Sequence, residues 1–78
     1  MNEVILMTLT AREKIKIILS RRNMTQAELA DKTNQSPQNL SNKMSRDNFS
    51  EKELMTISEA IGCTVEVRFI MNDTGEEI

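Results

Sequence analysis

Three copies of one short pattern constrain this chain more than anything else in it: Thr10-x-x-Glu13, Thr25-x-x-Glu28 and Ser50-x-x-Glu53. In each, a hydroxyl is followed three residues later by a carboxylate, the reciprocal arrangement that satisfies free backbone N–H groups at a helix start. Three such boxes imply three helix starts. A fourth is marked by Ser36-Pro37, because proline in the first helical position gives up an N–H that has no partner there. Met24 before one cap pairs with Leu29 after it, and Phe49 pairs likewise with Leu54; each pair is a hydrophobic staple that sets how the chain enters its helix. Together these signals predict helices over 11–22, 26–33, 37–45 and 51–61.

With 78 residues there is room for one domain, and a domain near this size hides only about 60% of the surface its unfolded chain exposes. Its core must come from the helix faces. Apolar residues recur at helical spacing on each predicted segment: Ile15, Ile18 and Leu19; Leu29 and Ala30; Leu40 and Met44; Leu54, Ile57 and Ile61. The six methionines read as a start residue and adaptable core filler. Gly62 stops the fourth helix, since glycine takes the left-handed conformation past a helix end without steric cost. After it the period changes. Thr64 to Met71 alternates, with Val65, Val67, Phe69 and Met71 on one side, which predicts a strand closed by the turn Asn72-Asp73-Thr74-Gly75. A single strand leaves a row of unpaired N–H and C=O groups and needs a neighbour. Two are available: Val4 to Met7 of the same chain, or the same strand of a second molecule. The second choice makes a two-fold homodimer in which Val65, Val67 and Phe69 are the dimerisation residues.

Charge bounds the partner. The net charge of -2 argues at first against a polyanion, because binding to phosphate is driven by Lys and Arg. The distribution reverses this impression: residues 12–46 carry eight basic and three acidic side chains, and residues 47–78 carry two basic and eight acidic ones. Such segregation can orient a protein on DNA, although it is also what an ordinary solvated face looks like. Other classes are disfavoured. One cysteine, Cys63, and no histidine leave no zinc set, no internal disulfide and no histidine acid-base chemistry, and Cys63 reads as a small side chain tucked beside the helix stop. There is no nucleophile-base pair and no phosphate-binding glycine loop, so neither an enzyme nor a cofactor is expected. No apolar run is long enough to cross a bilayer, Val4-Ile5-Leu6-Met7 is too short for a signal-peptide core, and Glu3 stands where a basic segment is needed. The expected location is cytoplasmic.

The functional signal lies between Thr25 and Met44. Two short helices here are joined only by Asn34-Gln35-Ser36, a tight turn in which Asn34 tolerates the left-handed conformation. Thr25-Gln26-Ala27-Glu28-Leu29-Ala30-Asp31-Lys32 followed by Ser36-x-x-x-Leu40-Ser41 resembles the lambda-repressor and Cro-like helix-turn-helix proteins, the xenobiotic response element family. The resemblance spans roughly residues 10–62. It departs from the family at two places: Asn34 stands where glycine is usual, and Lys43 where an apolar residue is common, Met44 serving the packing instead. The resemblance implies a four-helix helix-turn-helix DNA-binding domain over 10–62, and the strand and tail read from the alternation follow it over 63–78. It also implies a transcriptional repressor of phage or mobile-element type that occupies an operator on double-stranded DNA.

Residue chemistry agrees with that implication. The N-terminus of the second helix offers free N–H groups to a phosphate, and Gln26 extends that contact. The third helix enters the major groove in this reading, presenting Gln38, Asn39, Asn42 and Lys43 to base edges: Gln and Asn pair with adenine, Lys with guanine. Ser36, Ser41 and Arg46 are candidates for the DNA backbone. Arg21 and Arg22 suit either a phosphate or the C-terminal dipole of their own helix. Two other readings stand beside this one. In the first, the chain is the antitoxin of a toxin-antitoxin pair and holds a partner protein with its acidic C-terminal part. In the second, it is an interaction module that has kept the fold without DNA binding.

Overall fold

A computed structural model describes residues 9–78. Four helices follow one another: α1 (Ala11–Arg21), α2 (Gln26–Lys32), α3 (Pro37–Arg46) and α4 (Glu51–Ala60). Each lies within one residue of its predicted bounds. All three capping boxes are formed in both directions, the backbone N–H of Thr10, Thr25 and Ser50 donating to the carboxylate three residues on at 2.9, 2.8 and 2.8 Å. Ser36 caps α3 by accepting from the N–H of Asn39 at 3.0 Å, with Pro37 at the first helical position.

The helix ends follow one rule with different residues. The backbone turns left-handed just past each helix, at Asn23, Asn34, Asp47 and Gly62. Asn34 adopts φ 56° where the resemblance leads one to look for glycine, as its short polar side chain allows. Asp47 has a second task. Its carboxylate accepts a 2.9 Å hydrogen bond from the backbone N–H of Arg12, in the half-buried first turn of α1, so the end of α3 caps the start of α1.

The apolar stripes meet in one core of Ile15, Leu19, Leu29, Ala30, Leu40, Met44, Ile57 and Ile61. Leu29 and Leu40 are fully enclosed, so α2 and α3 are packed face to face across the Thr33–Ser36 turn. Ile18 and Leu54 are only half-buried, packed on the rim of the core together with the two staple residues Met24 and Phe49. Ser58, the one buried polar side chain among the described residues, is satisfied by donating to the carbonyl of Met55 at 2.8 Å.

Among the described residues the expected C-terminal strand over Thr64–Met71 does not form: residues 63–69 are neither helix nor ladder, and the backbone pairing found there is a single antiparallel bridge between Ile70 and Glu77 across the turn at Asn72–Thr74. Alternation of apolar and polar residues gives an extended segment two faces. It does not supply the partner whose N–H and C=O groups make a ladder, and the arm returning after the turn offers only residues 76–78. Of the three expected dimerisation residues, Val65 is half-buried, and Val67 and Phe69 are exposed, Phe69 to 70%. The segment Val4 to Met7, named as an alternative neighbour, lies outside the described residues. No helix among the described residues is long and apolar enough to cross a membrane.

Candidate nucleic-acid interface

Burial of Leu40 and Met44 sets the rotation of α3 about its axis. With those two residues in the core, Gln38, Asn39, Ser41, Asn42, Ser45 and Arg46 are left exposed. Gln38 and Asn42 stand one turn apart and are joined by a 3.3 Å hydrogen bond from the Gln38 side-chain amide to the Asn42 carbonyl oxygen. Both therefore present an amide edge from the same side of the helix. Asn39 points toward the turn, donating from its amide to Gln35 at 3.0 Å, while Gln35 donates in turn to the hydroxyl of Thr33 at 2.8 Å. The Asn39 side chain is thus oriented by the α2–α3 turn.

Lys43 is placed differently. It is half-buried, and its ammonium forms an ion pair with Glu53 of α4, which also accepts from the backbone N–H of Ser50. The lysine first, and the Ser50 N–H second, hold the Glu53 carboxyl below its ordinary pKa. Lys43 and Lys52 border a cleft of about 310 Å³ between α3 and α4, together with Asn34, Gln35, Asn39 and Thr56. For Lys43 to reach a base edge it must leave Glu53.

The backbone candidates divide as well. Gln26 and Ser41 come together in a smaller cleft of about 190 Å³, lined also by Arg12, Lys16, Met44 and Ser45. This cleft brings the first turns of α1, the first residue of α2 and the middle of α3 to one place. Two cations one helical turn apart, two hydroxyls and one carboxamide form a donor set suited to a phosphate diester. Ser36 is engaged as the cap of α3, its Oγ accepting from Asn39, and Arg46 is exposed at the last position of that helix. Arg21 is exposed at the end of α1, and Arg22 donates to the Gly62 carbonyl at 3.3 Å, so it ties α1 to the end of α4.

Arg12, Lys16 and Ser45 received no individual role from the sequence. Their signal was the basic block over residues 12–46 and the four-residue spacing of Arg12 and Lys16. What was missing was the approach of the first turns of α1 to α3. Asp47 also went unassigned, since nothing local to it points 35 residues back along the chain.

Among the described residues, no group of three or more His, Cys, Asp or Glu side chains is placed to hold a metal ion. Cys63 is half-buried and free. A family model described as a domain of unknown function, DUF6471, matches residues 8–65. The chain belongs to that family. No curated protein and no solved structure matches it. The DUF6471 span contains the four helices of the described residues and both clefts, and it ends at Val65, ahead of Val67, Phe69 and the acidic turn.

Proposed function

We propose that this chain is a sequence-specific double-stranded DNA-binding protein of helix-turn-helix type, a transcriptional regulator that represses by occupying an operator. The observation that carries the reading is the exposed Gln38–Asn42 amide pair on α3, flanked by the Arg12, Lys16, Gln26, Ser41 and Ser45 cleft. Recognition by α3 requires that its base-facing side chains be free of the core and that phosphate donors lie beside them to hold the register. α3 enters the major groove, where Gln38 and Asn42 read base edges and Asn39 reads from the side of the turn. The cleft takes a backbone phosphate on one flank of the groove, and Arg46 takes another. Lys43 joins the base readers once DNA competes with Glu53 for its ammonium.

Selection of bound sequences from random duplex DNA, followed by anisotropy titration of the selected site, tests this reading. A defined motif bound with an affinity that falls steeply with salt is the expected result. Absence of salt-dependent binding to any duplex overturns it and leaves the chain as a protein-interaction module.

A further inference from the structure

We infer that Glu53 withholds Lys43 from DNA: its carboxylate keeps this one cation of α3 out of sequence-independent binding and yields it only where a base edge competes for the ammonium. The inference rests on the DNA-binding reading of α3 and makes Glu53 a positioning residue, acting on DNA through Lys43. Its first support is the selectivity of the pairing. Residues 12–46 carry eight basic side chains, and among the described residues Lys43 is the only one of them held in an ion pair. Gln38, Asn39 and Asn42 on the same helix are exposed, whereas Lys43 is half-buried and turned to α4. The pair is still within reach of a competitor, since the two side chains keep 30% and 33% of their surface exposed.

Neither capping nor helix docking requires the pair. A capping box uses the carboxylate oxygen that accepts from the cap residue's N–H, and among the described residues the boxes of Glu13 and Glu28 close with no ion pair on the carboxylate. Glu53 divides its two oxygens. Oε1 accepts from the Ser50 N–H at 2.8 Å and Oε2 faces the Lys43 ammonium, while the Glu53 N–H donates to the Ser50 hydroxyl at 3.1 Å. The box thus fixes the carboxylate that Lys43 meets, and a preset partner costs less ordering than a mobile one. α3 and α4 already share the core through Leu40, Met44 and Ile57, and an ion pair at the surface adds little to such packing.

Electrostatics gives the consequence. An ammonium on a flexible stem is a point charge that any phosphate can take, so a free lysine here would add to binding on every sequence. Beside Glu53 it does not, because the ammonium is already neutralised and an approaching phosphate brings a second negative charge toward the carboxylate. With α3 in the major groove the acceptors nearest to it are base edges, and guanine presents two of them, O6 and N7, side by side. Release to such an edge does not leave the carboxylate without a neighbouring cation, since Lys52 borders the same cleft as Lys43 and Glu53. Sequence-independent binding is then carried by the other cations, and Lys43 adds to it only on a site that offers the right edge.

The test compares the full wild-type chain with Glu53→Gln, because glutamine serves the same capping box. In anisotropy titrations on a random duplex, Glu53→Gln should bind more tightly than wild type with a salt slope steeper by about 0.9, so that its advantage is about 3.5 times larger at 50 than at 200 mM salt. Adding Lys43→Met to both chains should abolish that advantage, since Glu53 acts through the lysine. A pair that merely ties α3 to α4 gives the opposite sign, for its loss loosens the helices and weakens binding. A second measurement needs no change at Glu53. The ¹⁵N resonance of the Lys43 ammonium, identified by its loss in Lys43→Met, should keep its free-protein position on saturating random duplex and move on the selected operator. Unchanged or lower affinity of folded Glu53→Gln for random duplex overturns the inference, as does an advantage that survives Lys43→Met, or an ammonium resonance that moves alike on both duplexes. A wild-type chain that binds no duplex overturns the DNA-binding reading itself, and this inference with it.

Discussion

Removing the two cations of the α1 cleft together, Arg12→Ala with Lys16→Ala, separates a phosphate clamp from a surface that is merely basic. Lys16 is exposed, and the hydrogen bond from position 12 to Asp47 is made by the backbone, so it survives truncation of the side chain. Substitutions at such positions shift stability by about 0.5 kcal/mol or less, so circular dichroism melting should barely change. On DNA the arithmetic differs. Each neutralised phosphate contributes about 0.9 to the slope of log affinity against log salt, and the cleft takes one phosphate, so removing both of its cations should flatten that slope by about 0.9 units. Between 50 and 200 mM salt, a fourfold change, this makes the double variant's deficit about 3.5-fold larger at the low end than at the high end. The assay is fluorescence anisotropy on the selected operator and on a scrambled duplex, at four or more salt concentrations. Loss on both duplexes alike is expected, because a phosphate contact carries no sequence information. A slope unchanged within about 0.3 units, or a deficit confined to the operator, would refute the assignment of this cleft to a phosphate.

Gln38→Ala or Asn42→Ala should cost about 1–3 kcal/mol on the operator and little on random DNA, with relaxed preference at one base pair; equal losses on both would sink the base-reading role. Leu40→Ala, two residues from Gln38 on the opposite face of α3, should remove about 3 kcal/mol of fold stability and lower the melting temperature by about 12–24 °C, since Leu40 is fully enclosed. A drop of less than 5 °C would mean that the α2–α3 contact is not the centre of the core. Acid should unfold the domain through its caps. The Glu13, Glu28 and Asp47 carboxyls are held below their ordinary values chiefly by backbone N–H groups of Thr10, Thr25 and Arg12, and Glu53 chiefly by Lys43. Their stabilisation is complete above the unfolded-state values near 4 and is lost as pH falls through the lower folded-state values. A urea midpoint unchanged between pH 6 and pH 2.5 would contradict this.

What was legible in the sequence was what depends on near neighbours. A capping box is closed within four residues, so Thr10, Thr25 and Ser50 marked their helices unaided, and the stripes through Ile15, Leu29, Leu40 and Ile57 marked the buried faces. Contacts between elements were not legible. Lys43 looks like a free cation on a polar helix until α4 brings Glu53 against it, and Arg12 and Lys16 look like ordinary solvated charge until α3 brings Ser41 and Ser45 beside them. The segment after Gly62 failed for a related reason: its alternation describes two faces, and whether those faces become a strand depends on a partner that no residue within the segment specifies.

The hydrogen bond from Arg12 to Asp47 bears on the order in which the molecule assembles. The α2–α3 pair joins residues close in the chain and can form early, since little loop entropy opposes it. The Asp47 contact closes a span of 35 residues, so it comes late, as a latch set after the helices have docked. A late contact of this kind governs the rate of unfolding more than the rate of folding. Asp47→Asn, which keeps an acceptor and a tolerance for the left-handed backbone while removing the charge, should therefore act mainly by shortening the lifetime of the closed arrangement in which α1 and α3 hold their cleft at a fixed width.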